Sequence, residues 1–526
     1  MQTGRSVVYA KNGGAAASQP LAVSAAISVL KQGGSFIDAA IALSSVICVI
    51  QPFASHLGGD AFLVTHHAAT KTNLAFNGSG EAPHSATPAA YGNGIPLHGY
   101  KSGTVPGLVS TWFEAHERYG TLPMEQLLEQ AIDYAENGFP ANSGFVRRMA
   151  NHLDQTPDTQ IFKEMGIDVN VKIGDLVVQK DLARSLREIA SGGRAAFYSG
   201  RIAEQLISGS EGWFNAEDLK AHTTRVLDPI SIKYRDLTIY GQPPPTQGMI
   251  LMEELLINER FDVASLSEVD RIHIGVESKK ASFADRYAIL GDPDFIAVNT
   301  AKILSKENID KRTSQISMDN AASDFAPLSE GSDTTYFLVA DKDGNAVSWI
   351  QSLFHAFGSS WVIPGTGAIL NNRLTGFSLD PASPNIIEPG KRPAHTLNAF
   401  TAVNPDGTLH LVGGTPGGNI QVQTNLQLIT NIVDLKMNVQ EASEAPRWQH
   451  LNAPGQVAAE EVGSGVLQIE NRVSPEVLDQ LRAKGHEVIA LDAWGHGSAA
   501  QLMQVLPNST FAFGSDPRVE GHASGI

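Results

Sequence analysis

Asp333, Thr334 and Thr335 stand together at the head of an apolar run, "SDTTYFLVAD" over residues 332–341. A threonine hydroxyl is a weak nucleophile without a base beside it, and its own α-amine can serve only if the residue is N-terminal. An α-amine titrates at about 7.7–8.0, close enough to neutrality to take the hydroxyl proton, whereas an ordinary lysine stays charged. Thr334 would therefore have to be freed by cleavage after Asp333. Its hydroxyl could attack the preceding carbonyl, the chain would pass to an ester, and water would release it. The competing explanation is that two β-branched residues simply begin a strand.

A second group of residues bears on that choice. "LVGGTPGGNIQVQTNLQL" places Gly413-Gly414 and Gly417-Gly418 between an expected strand and an expected helix, so that backbone N–H groups and a helix N-terminus converge. Such a turn suits an anion. It lacks the Lys-Ser/Thr ending of a phosphate-binding P-loop and misses the GxGxxG spacing. The same donors could form an oxyanion hole for amide cleavage, where each is worth about 3–4 kcal/mol. A glycine turn with no ligand is the plain alternative. His56, His66-His67 and His84 lack metal-ligand spacing, and neighbours on a strand point to opposite faces, so neither a metal nor a cofactor is expected.

The elements that would position these residues follow from the rest of the chain. With 526 residues the protein can bury a large core, and a net charge of −17 without any basic run excludes nucleic acid as a natural partner. The run Ala39–Ile50, "AAIALSSVICVI", is too short for the roughly 20 residues of a membrane helix and reads as a buried core helix, with its single cysteine, Cys48, as a small core residue. No membrane partner follows. One cysteine allows no internal disulfide, and "MQTGRSVVYAKNGG" has no apolar signal core, so a cytoplasmic location is expected.

Helical patterns run from Gln19 to Gln51, broken at "KQGGSF", and again from "TVPGLVSTWFEAHERYG" through "DLARSLREIASGG". "HLGGDAFLVTHH" reads as a glycine turn into a strand. Residues 306–333 are polar and have the composition of a mobile loop. Beyond them, two strands flank the turn Lys342-Asp343-Gly344-Asn345, and further strands are expected at "TGAILNN", "NAFTAV", "LHLVGG", "QLMQVL" and "TFAFG", with a helix from Asn419. A helix-rich first part (residues 1–333) and a strand-rich second part (334–526) imply an α+β protein of mixed sheets covered by helices.

Taken in order, "LKQGGSFIDAAIAL", "HLGGDAF", "TVPGLVSTWFEAHERYG", "DTTYFLVADKDGNAVS", "GAILNNRLTGFS", "GKRPAHTL", "GGTPGGNIQ", "APRW" and "GSDPR" resemble the γ-glutamyltransferase family of N-terminal-nucleophile hydrolases over nearly the whole chain. The resemblance implies one four-layer αββα sandwich, made as a precursor that splits itself between Asp333 and Thr334 into a large and a small fragment that stay together. It implies Thr334 as nucleophile and base, Gly417 and Gly418 as oxyanion donors, and Ser352 in place of a threonine that supports the nucleophile.

The departures concern the substrate. Where the family holds a glutamate carboxylate with an arginine and two serines, this chain has Glu81 in or beside the arginine's place and His395 and Thr396 for the serines. Where the family holds the glutamate ammonium, it has Phe354, Arg373 and Gly376, with no carboxylate left to pair an ammonium. Arg373 suits a carboxylate through a bidentate pair of hydrogen bonds. Glu81 would pair Arg373 or select a cation. The pattern is similar to the branch of the family that contains oxamate amidohydrolase, which implies hydrolysis of a small amide bearing a carboxylate but no α-amine.

Two other functions compete. One is γ-glutamyl transfer or glutathione hydrolysis on the same fold; the other is a non-catalytic anion-binding protein that never splits. His355 could touch substrate or a leaving group but reads first as a histidine packed at a strand-loop junction, Asn371 and Asn372 read as amides that brace a loop, and Glu114 to Arg118 as a solvated helix face. The expected partners are a small-molecule amide and the two fragments of one precursor. A homodimer stays open, since no interface can be pointed to in the sequence.

Overall fold

The computed structural model describes residues 4–92, 94–156, 158–322, 333–451 and 465–526. Residues 323–332, which lead into the expected cleavage point, lie outside the described residues, as does the side chain of Asp333.

Two antiparallel seven-stranded sheets face each other. One has the order His522–Gly525, Gly14–Ala17, Asp333–Ala340, Ala346–Phe354, Asp60–His67, Thr72–Gly78, Arg225–Leu227. The other runs Val8–Ala10, Phe511–Ser515, Gln501–Val505, Leu409–Gly414, Ala399–Val403, Leu237–Gly241, Ile230–Tyr234. Side chains alternate across each strand, so each sheet can bury both faces. Tyr336, Leu338, Ile350, Phe62 and Val64 point inward and meet Val412, Met503 and Phe513 of the opposite sheet. Phe337, Val339, Trp349 and Leu63 point outward, beneath helices that include Pro20–Lys31, Phe36–Ile50, Leu108–Tyr119 and Met124–Asn137. Helices Gly248–Asn258 and Ile420–Val433 cover the outer face of the second sheet. The architecture is the four-layer αββα sandwich that the resemblance implies.

Local chemistry explains the helix boundaries near the core. Ser35 caps the helix Phe36–Ile50 in a capping box with Asp38, whose buried carboxylate also accepts from the Thr121 and Leu122 amides. Cys48 lies fully buried in that helix, where burial raises its thiol pKa and keeps it protonated.

The structure differs from the sequence reading in three places. Lys306–Ser314 is a helix, because Ser305 caps it and Ile309 is buried, so one apolar anchor and a cap suffice. "TGAILNN" forms no strand; its apolar residues are held by isolated bridges at Val362–Ile369 and Gly58–Leu370. The helix-rich first part also supplies short strands to both sheets, at Val8–Ala10, Gly14–Ala17, Arg225–Leu227, Ile230–Tyr234 and Leu237–Gly241. Segments on the two sides of Thr334 are thus interleaved. Among the described residues, no helix is long and apolar enough to cross a membrane.

Close approach of the sheets demands glycine at Gly414, where a Cβ would come 2.4 Å from the Tyr336 ring. Gly414→Ala is expected to destabilise the fold by about 1–3 kcal/mol through overpacking, read as a lower midpoint in denaturant unfolding. An unchanged midpoint would mean that the sheets have slack at this point.

Candidate active site

Thr334 belongs to the inward-facing set of its strand, two residues before Tyr336, and Ser352 and Asp60 take the same face two residues from Ile350 and Phe62. Ser352 lies directly opposite Asp60 in the ladder. The apolar layer between the sheets therefore ends in a polar patch. There the Thr334 hydroxyl donates to Ser352 Oγ at 3.1 Å, and Ser352 Oγ also accepts the Phe354 amide at 2.8 Å. A bulge between Asp333 and Thr335 interrupts the register at this point. On the outward face, Thr335 Oγ1 meets Ser18 Oγ at 3.0 Å, which donates to Gln51 at 2.8 Å. The two threonines thus have different neighbours, and Thr334 is the one beside the polar patch.

Arg373 enters this patch from a 3-10 turn, Arg373–Gly376, and is 1% exposed. Its Nε donates to Asp60 Oδ2 at 3.3 Å, and its guanidinium lies 4.2 Å from the centre of the Phe354 ring. Nη2 is buried without a partner. Burial pushes the Arg373 pKa down to about 10, against the opposing pull of Asp60, so the side chain stays cationic at neutral pH. Phe354 holds φ at +86°, a left-handed conformation that costs a non-glycine residue about 1–3 kcal/mol. The hydrogen bond from its amide to Ser352 Oγ and its ring contact with Arg373 accompany that conformation. At Gly376 a Cβ would come 3.9 Å from the Phe354 ring, so the glycine leaves the ring's flank open.

His395 also reaches Asp60 Oδ2 at 3.3 Å and is fully buried. Its Nδ1 accepts the Leu397 amide, which leaves the proton on Nε2, facing Asp60. Burial, with the nearby Arg373 charge, pushes its pKa down to about 4, so the ring is neutral. Asp60 Oδ1 accepts the Gly80 amide at 3.1 Å, so both oxygens of this carboxylate are engaged. Thr396, nearly buried, offers its carbonyl to Gln247 Nε2 at 2.7 Å.

Gly417 and Gly418 adopt φ of +130° and +57°, which glycine tolerates best. The Gly417 carbonyl accepts from the Ile420 amide at 3.0 Å, within the first turn of helix Ile420–Val433. In a trans peptide the N–H opposes the C=O, so the Gly418 N–H points away from that turn. Pro416, just before, lines with Thr334 a cavity of about 310 Å³ whose wall includes Ser18, Phe53, Arg147 and Arg148. Thr334 and the residue that precedes the glycine turn therefore border one space, of which Gly417, Gly418 and Arg373 are not lining residues.

Two sequence expectations are corrected. Glu81 does not meet Arg373: it accepts from His222 Nδ1 at 2.6 Å and pairs with Arg392. Its pKa is lowered, since burial, which would raise it, is outweighed by His222 and Arg392. The patch also does contain a carboxylate, Asp60, from the "HLGGDAF" segment. Alternation along that strand, with Phe62 and Val64 inward, is the signal that could have found it. Gln247 had no such signal, because its contacts lie about 150 residues away or more. Asn371 braces the backbone at Thr104 and Gly58, and Asn372 braces His355.

Among the described residues, His273, Glu277 and His486 bring ligand atoms within 4.8 Å of one another. Their polar atoms are already used: the two rings bond each other at 2.8 Å, and Glu277 holds the Lys280 ammonium at 2.6 Å. A cation is thus already part of the cluster.

The chain has clear relatives. The family model described as Gamma-glutamyltranspeptidase matches residues 22–526. The Bacillus subtilis protein named Glutathione hydrolase-like YwrD proenzyme is 36% identical, over 96% of this chain and 97% of its own length. The Klebsiella pneumoniae Oxamate amidohydrolase proenzyme is 34% identical, over 98% of each. The crystal structure of cephalosporin acylase from Bacillus halodurans superposes with a TM-score of 0.91 at 32% identity, over 100% of this chain and 98% of that one.

Removing one partner of a buried ion pair leaves the other charge uncompensated, so Asp60→Asn is expected to destabilise the fold by about 3–5 kcal/mol. Adding Arg373→Met should recover part of the loss, measured by denaturant unfolding of the single and double variants. Equal stability of Asp60→Asn and the wild type would contradict the pairing.

Proposed function

The chain belongs to the gamma-glutamyltranspeptidase family of self-processing hydrolases that act on amide bonds, and from that premise we propose that its substrate is an amide with a small acyl half bearing a carboxylate and no α-amine, oxamate being the simplest case. In this reading Thr334 Oγ attacks the Asp333 carbonyl of the precursor, an ester forms as the C–N bond breaks, and water releases Thr334 as a new N-terminus. The freed α-amine then takes the hydroxyl proton as Thr334 attacks the substrate carbonyl. Gly417 and Gly418 stabilise the oxyanion, and Ser352 orients the hydroxyl. The proton passes to the departing amine, and water hydrolyses the acyl ester.

The observation that carries the acyl-group reading is the buried Arg373 guanidinium with its unpartnered Nη2, linked through Asp60 to the strand pair that holds Thr334 and Ser352. An unpaired buried donor is costly, and a substrate carboxylate would satisfy it. A γ-glutamyl group brings an ammonium as well. Asp60 is the carboxylate at hand, and its oxygens already accept from Gly80, Arg373 and His395. An ammonium beside Arg373 would meet repulsion, and it would have to share Asp60 with three donors already bound there. The names of the relatives divide among glutathione, oxamate and cephalosporin, and the composition of the site is what supports the carboxylate reading.

The test joins processing to turnover. Wild-type protein should run as two fragments on a denaturing gel, with the smaller beginning at Thr334, whereas Thr334→Ala should stay one chain. The split enzyme should release ammonia from oxamate at least about tenfold more efficiently than it releases nitroaniline from γ-glutamyl-p-nitroanilide, a ratio of about 1.4 kcal/mol in barrier. The reverse preference would overturn the acyl-group assignment, and a wild-type chain that never splits would overturn the mechanism.

A further inference from the structure

Gln247 joins the two halves of this site through a single amide group. It is fully buried at the start of helix Gly248–Asn258, next to Thr246, which forms an isolated bridge with His395. Backbone bonds fix its place: the Gln247 amide donates to the His395 carbonyl at 3.0 Å, and the His395 amide donates to the Pro245 carbonyl at 2.8 Å. From there its side chain reaches out of its own segment. Nε2 donates to the Thr396 carbonyl at 2.7 Å and to the Gly418 carbonyl at 3.0 Å.

The orientation of this amide is forced. Carbonyl oxygens only accept, so the NH₂ end must face Thr396 and Gly418, and Oε1 must face away. Oε1 is then a buried acceptor with no partner. A group added only for stability would gain by having both ends bonded, whereas unsatisfied buried polar atoms in native structures call for an explanation. The placement at Gly418 supplies one. The Gly418 carbonyl belongs to the peptide that also carries the Asn419 N–H, and it accepts from the Gln421 amide at 3.2 Å as well. A peptide held by two donors on its oxygen cannot rotate easily, so the Gly418 end of the turn, at positive φ, is restrained from within the following helix by Gln421 and from outside it by Gln247.

We propose that Gln247 is a positioning residue that sets the Gly417-Gly418 turn for oxyanion stabilisation and ties it to the His395-Thr396 segment beside Arg373. The inference rests on reading Thr334 as the nucleophile and the glycine turn as the oxyanion donor. Pre-set dipoles stabilise charge that develops in the transition state and contribute little to ground-state binding. Loosening the turn should therefore slow the chemical step while leaving substrate affinity nearly intact.

Two variants of similar shape test this in the self-split enzyme. Gln247→Met keeps the length and removes both donors; Gln247→Glu keeps the outline but faces two carbonyls with acceptors. Each should lower kcat roughly 10- to 100-fold with KM within about twofold of wild type. The affinity for a carboxyalkyl boronic acid, which forms a tetrahedral adduct with a threonine hydroxyl, should weaken by a similar factor. If the glutamate variant fails to fold or split, the uncharged methionine variant carries the test, with thermal unfolding as a check. Full activity, or a rise in KM at unchanged kcat, would overturn the proposal, as would boronic acid affinity that stays at the wild-type value. Wild-type enzyme that binds the boronic acid but ignores oxamate would count against the acyl-group reading and not against Gln247, because the adduct needs only the hydroxyl and the glycine turn.

Discussion

The central place of strand Asp333–Ala340 in its sheet is the constraint on which the rest of the site depends. It is hydrogen-bonded to Gly14–Ala17 on one side and Ala346–Phe354 on the other. A strand held at both edges cannot shift by one residue without turning its entire inward set outward. Tyr336 and Leu338 are committed to the layer between the sheets, and beside the bulge that follows Asp333 the Thr334 hydroxyl meets the inward-facing Ser352. Ser352 and Asp60 are fixed by the same argument on the neighbouring strands. The polar patch is therefore positioned by apolar packing several residues away, and its hydroxyl contact follows from register. Interleaving also means that scission after Asp333 would cut one covalent bond within paired sheets, which would give the fragments a physical reason to remain together.

Within the patch, burial sets the charge states. Arg373 stays cationic although its pKa is pushed down to about 10, and His395, pushed down to about 4, stays neutral and offers Asp60 a proton through Nε2. A second cation at His395 would oppose Arg373 where both side chains are buried and the effective dielectric is low. The cluster therefore holds one positive and one negative charge, with the unmatched hydrogen-bonding capacity on the guanidinium. Such a site favours an acceptor over a donor. A well-placed buried pair adds little net stability on its own, since desolvation offsets its attraction. Its value here lies in presenting Nη2 in a fixed direction.

Much of this was legible in the chain. The Asp-Thr step at a strand head, the glycine turn before a helix and the hairpin at Lys342–Asn345 all carry local signals, and the structure forms the strands and helix expected around them. What escaped was whatever depends on contacts distant in sequence. The resemblance puts Glu81 in or beside the family's substrate arginine position, yet Arg392 and His222 are its partners in space. Gln247 carries no periodic or motif signal, because its role comes from two carbonyls supplied by other segments. The short strands near the N-terminus were missed for a related reason. Runs such as Gly14–Ala17 consist of glycine and alanine, poor β-formers that are chosen by close packing and not by propensity. Asp60 is the intermediate case, readable by alternation once the strand is accepted but masked by its charge.

The intact chain and the split chain present the same hydroxyl with different bases, and this asymmetry has a consequence for the proposed chemistry. Before scission the Thr334 nitrogen is an amide and cannot accept a proton. The neighbour that receives the hydroxyl's hydrogen bond is Ser352 Oγ, itself an accepting partner of the Phe354 amide and a weak base. After scission an α-amine with a pKa close to neutrality stands on the same residue. In the proposed chemistry the first attack would therefore proceed with poor base assistance, and a slow, single self-cleavage would create the group that makes each later turnover fast. The hydrogen bond from Thr334 to Ser352 serves both stages, because it fixes the direction of the oxygen whichever base is present. That common requirement fits a contact made within the sheet, whose strand pairing scission at Thr334 would leave in place.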